Sequence, residues 1–486
     1  MRQNLVTRAS GHGLSAETPI LLKAFVVSID FKRLATAGAV WLLCATVAQA
    51  DSLKAAVRDA LTSNPSLRAA DANYRATIYD LIAEEGGFQP ELRLTGSVKN
   101  EYVDDPNGLS VSDNANAKIA SEIGLVATLP LYDGYRRQNQ VYAAAARVDQ
   151  SALDLLDASE TMALAVTEQY IGLARQTALL QEVRRNIDRL QTIASQARQL
   201  VDGGRLPASD LVQIEASIFS ARATKADIER RLSDSLVRFR SLVGRNPGHS
   251  YAFPKVVQPP ASHDGYVNSA VRNSYRVQKA SSQIDVAGFE QGIANSQYQP
   301  QLSLNAGVSA GSNLDGSSGD ETRAFIGVDL SWTLYNGRRT GQMAALSERK
   351  NEALYSRMAA IRDVERLASS AWHTFQITAV RNSVLQSEVR SYTQLVRSYG
   401  DEFNSATRSV LDLLVAENRL FNARFEQINN QALLAFSGYN ALAAQSRLAK
   451  HFGVKQSSRV LNERLTPRNG EEPRVVIQRG KVLIQE

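Results

Sequence analysis

Residues 141–201 read VYAAAARVDQSALDLLDASETMALAVTEQYIGLARQTALLQEVRRNIDRLQTIASQARQLV. Val141, Val148, Leu155, Met162, Gln169, Gln176, Val183, Leu190 and Ala197 step by sevens through this stretch. Ala145, Ala152, Ser159, Val166, Leu173, Leu180, Ile187, Ala194 and Val201 do the same. All but Gln169, Gln176 and Ser159 are apolar, and no proline falls between Pro130 and Pro207. A 3.5-residue hydrophobic period drives left-handed coiled-coil packing. At 1.5 Å per residue, about 60 residues make a rod of roughly 90–100 Å. Average helices hold about 11–12 residues, so a rod of this length is architectural. The two glutamines leave room for hydrogen bonds between chains.

The rod ends at Val201-Asp-Gly-Gly-Arg-Leu-Pro207. Two glycines end a helix, and proline followed by Ser209 and Asp210 opens the next. A second proline-free window runs from Pro300 to Pro467, with an apolar stripe at Leu414, Phe421, Phe425, Ile428, Ala432, Ala435, Tyr439 and Leu442. Its break is Asn404-Ser-Ala-Thr-Arg-Ser409. Each window therefore predicts an antiparallel hairpin of two very long helices.

The two windows belong to a duplication. Val57–Asn64 aligns with Val267–Ser274, and Phe88-Gln-Pro-Glu-Leu-Arg-Leu94 with Tyr298-Gln-Pro-Gln-Leu-Ser-Leu304, both at an offset of 210. Leu131-Tyr-Asp-Gly134 aligns with Leu334-Tyr-Asn-Gly337 at 203, and Asp210-Leu-Val with Asp412-Leu-Leu at 202. The order is kept while the offset drifts, as small insertions would leave it. Each copy predicts one short helix (51–85; 263–296), two strands and the long hairpin. The first copy spans 51–250 and the second 263–452. A proline-rich linker at 251–262 separates them, and a tail at 453–486 contains the strand-like stretch 474–485.

The strands alternate. Leu92, Leu94 and Val98 face away from Arg93, Thr95, Ser97 and Lys99; Leu302, Leu304, Ala306 and Val308 face away from Ser303, Asn305, Gly307 and Ser309. The return strands carry Ile123, Leu125, Ala127 and Leu129, and Ile326, Val328, Leu330, Trp332 and Leu334. Tyr132, Trp332 and Tyr335 sit near strand ends, where aromatic girdles form. The pattern suits a membrane β-barrel with a wet lumen and equally a half-solvated soluble sheet. Four strands cannot close a barrel, which needs about eight. An open edge in lipid leaves backbone groups unsatisfied. Strands in a membrane would therefore require several chains to share one barrel.

Lys32 and Arg33 precede an apolar run from Leu34 to Val47, followed by Ala48-Gln49-Ala50. This reads as an export signal with an N-terminal extension, residues 1–50, cleaved after Ala50. The run holds 14 residues, short of the roughly 20 that a membrane anchor needs. Removing 1–50 also removes the only cysteine, Cys44, and leaves 50 basic and 47 acidic residues. A nearly balanced chain argues against a nucleic-acid partner. The mature histidines, His249, His263, His373 and His451, are scattered, and no phosphate loop or H-E-x-x-H occurs. Nothing predicts an enzyme, a metal or a cofactor.

The duplication, the paired Leu-Tyr-Asp/Asn-Gly blocks and the segment Ala406-Thr-Arg-Ser-Val-Leu-Asp-Leu-Leu-Val-Ala-Glu-Asn-Arg-Leu-Phe-Asn-Ala423 together resemble the TolC family of outer-membrane efflux proteins. The resemblance spans about 51–450. Ala406 stands where the family pattern has glycine. The resemblance implies a mixed, mostly α fold: a homotrimer whose long helices form an α-helical barrel joined to a shared twelve-stranded transmembrane β-barrel. The linker and tail would form an equatorial belt. It implies passive conduction across periplasm and outer membrane, with a periplasmic adaptor and an inner-membrane transporter docking at the helical tip. It also implies a tip gate at Arg408, Asp412 and Phe403 on the second hairpin, and Ser209 and Asp210 on the first. Phe403 stands where a tyrosine is found, and Val415 where a second pore acid is found. Asp210 also reads as a plain helix-start residue, and Arg408 with Asp412 as an i,i+4 surface pair. The Arg408–Ala423 form resembles type I protein-secretion ducts, which an ABC transporter feeds, more than drug-efflux ducts. Multidrug efflux is the alternative, and a structural coiled-coil surface protein the remote one.

Overall fold

The repeat is visible element by element in a computed structural model, which describes residues 52–102, 117–248, 251–314, 318–405 and 407–453. The first copy comprises α1 (Leu53–Ser63), α2 (Pro65–Gly86), β1 (Glu91–Tyr102), β2 (Ala117–Tyr132), α3 (Arg136–Asp202) and α4 (Ala208–Val243). The second comprises α5 (His263–Asn273), α6 (Tyr275–Ser296), β3 (Gln301–Ser312), β4 (Asp320–Ser331), α7 (Arg339–Asn404) and α8 (Val410–Ala444), with a final turn α9 (Leu448–His451). The signal segment with Ala48 and Ala50, the whole Asp104–Asn116 loop and the tail after Gly453 lie outside the described residues.

Two expectations need correction. The single short helix of each copy is two helices of 11 and 22 residues. Asn64 and Ser274 make the break: each ends one helix and caps the next by accepting a backbone N–H, from Ser66 and Val277. The hairpins are also unequal. α3 has 67 residues and α7 has 66, but α4 and α8 have only 36 and 35. At 1.5 Å per residue α3 is about 100 Å long, and its partner covers half of it. The other half is covered by α1 and α2. Where they meet α4, Asn64 Nδ2 donates to the free carbonyl of Leu242 at 2.9 Å, and Arg245 pairs with Asp59 at 2.7 Å.

Packing follows from this division. α3 touches α2 and α4 on one side and α6 and α8 on the other; α7 touches α5, α6 and α8. The apolar sides of four columns interlock: α2 with α4, then α3, then α6 with α8, then α7. Gln176, expected to reach another chain, is only 4% exposed and lies inside this packing. α7 buries one line, including Val364, Ala368, Ala371, Phe375 and Leu385, and leaves Tyr355, Met358, Ile377, Val380 and Val384 exposed on the outermost column. The linker crosses α8 at Gly438, where a Cβ would collide with the Val257 backbone, and Tyr439 donates its hydroxyl to Lys255 O at 3.1 Å.

The strands form one antiparallel sheet in the order β1-β2-β3-β4, so β2 and β3 join the two copies. Register fixes the faces, because directly paired residues point the same way. Leu94 pairs Leu125, which pairs Val308, which pairs Ala324; Leu92 pairs Ala127, then Ala306, then Ile326. One face is thus apolar across all four strands. The other carries Arg93, Thr95, Lys99, Glu122, Asn305, Arg323 and Asp329. The apolar face is uncovered, with Ile326 and Val98 each 77% exposed. No helix among the described residues is long and apolar enough to cross a membrane. β4 stops at Ser331, so Trp332 and Leu334 lie past its end, where Trp332 Nε1 donates to Tyr298 O at 3.2 Å.

Candidate functional site

The Leu-Tyr-Asp/Asn-Gly blocks turn strand into long helix and so aim the rods. Buried Asp133 accepts from the backbone N–H of Arg136 and of Arg137 at 3.1 Å, and from Arg137 Nε at 2.8 Å. A carboxylate at a helix N-terminus satisfies otherwise orphaned donors and opposes the helix dipole. Arg137 then donates to Gly87 O and Pro130 O and lies 4.9 Å from the centroid of the Phe88 ring. Gly134, at φ 67°, admits Gln299 where a Cβ would collide. The second copy repeats the plan without the buried charge. Asn336 Oδ1 accepts from the Arg338 N–H at 3.0 Å, and Arg339 lies 4.6 Å from the Tyr298 ring centroid.

At the far end lie the turns that carry the sequence-predicted gate. In the first, Gly204 takes φ 67°, the Arg205 N–H returns to Leu200 O at 2.8 Å, and Pro207 opens α4. Ser209 is exposed and its hydroxyl donates to Asp210 at 3.4 Å. In the second, Ser405 and Thr407 cap the end of α7: the Thr407 N–H and hydroxyl both donate to Glu402 O, at 2.9 and 3.0 Å. Ser409 caps α8 by accepting from the Leu411 N–H.

Arg408 is held inside its own turn. Its Nε donates to Glu402 Oε2 at 2.8 Å, its Nη1 lies 3.6 Å from Asp412 Oδ2, and its guanidinium stacks 4.3 Å from the Tyr399 ring centroid. The carboxylate of Glu402 pushes its pKa further up, against the effect of desolvation. Among the described residues its ion-pair partners are Glu402 and Asp412, and Asp210 is not one of them. Sequence reasoning missed Glu402 because it looked for partners one helical turn ahead and not six residues back across the break. Phe403 is buried, 6% exposed, in a cluster with Val410, Leu413, Leu414 and Ile214. It anchors the turn to the core and does not project from it. Asp412 and Val415 are exposed on one side of α8.

Above the turn, Arg189 pairs with Glu417 at 2.6 Å and Arg424 with Glu182 at 3.2 Å, across the seam between α3 and α8. These four residues, with Arg185 and Arg397, line a cleft of about 380 Å³. They joined neither the sequence pattern nor the resemblance, because only the fold brings α3 beside α8.

Comparison with known proteins agrees with this architecture. A family model described as outer membrane efflux protein matches residues 56–245 and 266–444, the two copies of the duplication. The outer membrane efflux protein BepC of Brucella suis is 22% identical over 417 residues, covering 84% of this chain and 88% of that protein. The outer membrane protein TolC of Escherichia coli is 22% identical over 448 residues, covering 87% and 86%. Among solved structures, the outer membrane protein VceC of Vibrio cholerae superposes with a TM-score of 0.70 at 19% identity, covering 82% of this chain and 96% of that one.

Proposed function

Because this chain belongs to the outer membrane efflux protein family, we propose that three copies assemble into one channel that crosses the outer membrane as a shared β-barrel and the periplasm as a ring of helices. The single observation that carries this is the apolar face continuous across all four strands of an open sheet. In water such a face is a liability; in lipid it is what a barrel wall requires. The free edges at β1 and β4 support closure by other copies, since lipid satisfies no backbone group. The uncovered apolar line on α7 supports a neighbour on that side, and the four-column packing repeated three times gives twelve columns.

The mechanism is conduction without covalent chemistry. The polar face of the sheet lines the barrel. The two helical turns form the periplasmic end, which an adaptor and an inner-membrane transporter engage. Arg408, fixed by Glu402 and Tyr399, holds the inner turn in shape, and Asp412 contributes an acidic ring to the pore. Ser209 and Asp210 are the facing groups offered to a neighbouring copy.

The cargo is a secreted polypeptide delivered by an ABC transporter, a reading supported by the Arg408–Ala423 segment. Efflux of small molecules is the second reading, supported by the name efflux protein that BepC carries. Deleting the gene and comparing the secreted proteome with antibiotic susceptibility tests both. Loss of one or more secreted proteins with unchanged susceptibility supports secretion, the reverse supports efflux, and no change in either contradicts the channel.

A further inference from the structure

Along the rods the two copies meet where α3 packs against α6, through the partly exposed pairs Arg147–Glu290, Arg276–Asp157 and Lys279–Asp154, and against α8, where the carboxylates of the pairs are buried. Arg189 Nε donates to Glu417 Oε1 at 2.6 Å, and Arg424 Nη1 to Glu182 Oε1 at 3.2 Å. Arg185 also reaches Glu182, at 3.2 Å. Glu182 and Arg189 lie one heptad apart on α3, as do Glu417 and Arg424 on α8. The helices run antiparallel, so each presents one acid and one base in opposite order. Slipping the seam by one heptad one way sets Arg189 against Arg424; slipping it the other way sets Glu182 against Glu417. Only the observed register pairs both.

The carboxylates are buried, with side chains 5% and 7% exposed, while the arginines reach in from the rim. A buried carboxylate that loses its partner keeps its desolvation cost. The seam within each hairpin is different: its ion pairs, Arg198–Glu215 and Arg184–Glu229 between α3 and α4 and Arg381–Glu426 between α7 and α8, are exposed on both partners. Its buried apolar contacts run through Ile214, Ile218 and Ile228 between α3 and α4 and through Val396, Ala416 and Leu420 between α7 and α8. Apolar contact tolerates small sliding; a reciprocal ion pair does not.

We propose that Arg189–Glu417 and Glu182–Arg424 form a register lock between the hairpins, distinct from the turn at Arg408: they fix α7–α8 in one axial alignment on α3–α4, and an axial slip of the seam breaks both. The effect on conduction rests on the channel reading above; the effect on alignment does not. The reversals Arg189→Glu and Glu417→Arg are each made alone and together in the full-length protein, with spin labels on exposed Thr192 and Asn418. Dipolar distances are measured beside single-channel conductance in planar bilayers. Each single reversal should lengthen and broaden the label distance and raise conductance several-fold, and the double reversal should restore both. Circular dichroism and the oligomer band on gels verify folding. Milder Arg189→Gln and Glu417→Gln variants, with the double Gln variant, replace any reversal that fails to fold. The lock is overturned if folded single variants keep the wild-type distance, or if the double variant is as displaced as the singles. A wild type that conducts nothing contradicts the channel, and the label distances alone then decide the lock.

Discussion

Arg408 and Glu402 close the turn between the two helices of the second hairpin, Nε to Oε2 at 2.8 Å, with the Tyr399 ring stacked on the guanidinium. Both side chains are partly exposed, so the pair is salt-screened and of modest strength. A modest link suits a closed end that a partner must open. Arg408→Ser is expected to raise single-channel conductance in planar bilayers, and Glu402→Gln to do so nearly as much. Asp412→Ala should leave the channel closed while lowering its preference for cations, because it removes an acid from each copy. If Glu402→Gln behaves as wild type while Arg408→Ser conducts, the partner that matters to Arg408 belongs to a neighbouring copy.

Glu160 predicts a pH dependence. Burial pushes its carboxyl up to about 7, against the lowering effect of the Leu448 and Ala449 N–H groups it accepts from and with a smaller push from Asp157. The folded state therefore binds a proton more tightly than the unfolded chain. The stability this contributes is fully present below about 4.5 and is lost as pH rises to about 7. A shift of this size corresponds to on the order of 3 kcal/mol. Glu160→Gln should flatten the apparent Tm between those two pH values and melt above wild type on the alkaline side. A variant whose melting curve keeps the wild-type slope would assign the pH dependence elsewhere.

Gly438 and Gly172 are both helical, but only one is confined. A Cβ at Gly438 meets the Val257 backbone, whereas nothing lies within 4 Å of one at Gly172. Gly438→Ala should cost about 1–3 kcal/mol and expose the linker around 251–262 to protease. Gly172→Ala should stabilise by about 0.5–1 kcal/mol. Thermal melts with limited proteolysis compare the two; equal effects would mean that the linker does not press on α8.

The two faces of β4 should respond oppositely to charge. Val328→Arg places a cation on the apolar face, where about 2–4 kcal/mol is expected at the bilayer midplane. Gly327→Arg places it on the polar face, in open space. Heat-modifiable migration after outer-membrane extraction should be lost or weakened for the first and kept for the second. Equal tolerance would indicate a sheet wetted on both sides.

The duplication was legible because the rods are long and the offsets drift slowly: the matches at 210, 203 and 202 correspond to α1–α2 with α5–α6, α3 with α7, and α4 with α8. The strand faces were legible because a period of two is strict. The break at Asn64 and Ser274 escaped because only the first copy marks it with a proline, Pro65; at Ser274 the hydroxyl cap alone does the work. The half-length of α4 and α8 follows from limits already present in the sequence, Pro207 and Pro247 around α4 and the end of the apolar stripe at Leu442 in α8; Gly244 and Gln445 cap the helices there. The register lock joins residues 228 and 242 apart, across two copies, and no periodicity within either copy reports on it. At the tip, Phe403 looked like a gate by position, yet its apolar ring follows the core.

The most direct test of the account is whether β1 of one copy pairs with β4 of the next. Cysteines are placed on the polar face, at Ser97 on β1 and in turn at Phe325, Gly327 or Asp329 on β4, with Cys44 replaced by serine. Paired strands bring Cα atoms to roughly 4.5–5.5 Å, within disulfide range. The account predicts that at least one pair, oxidised in the outer membrane, gives covalent dimer and trimer and nothing larger. Monomer alone for every pair, or a ladder that continues beyond trimer, would contradict a closed barrel shared by three chains.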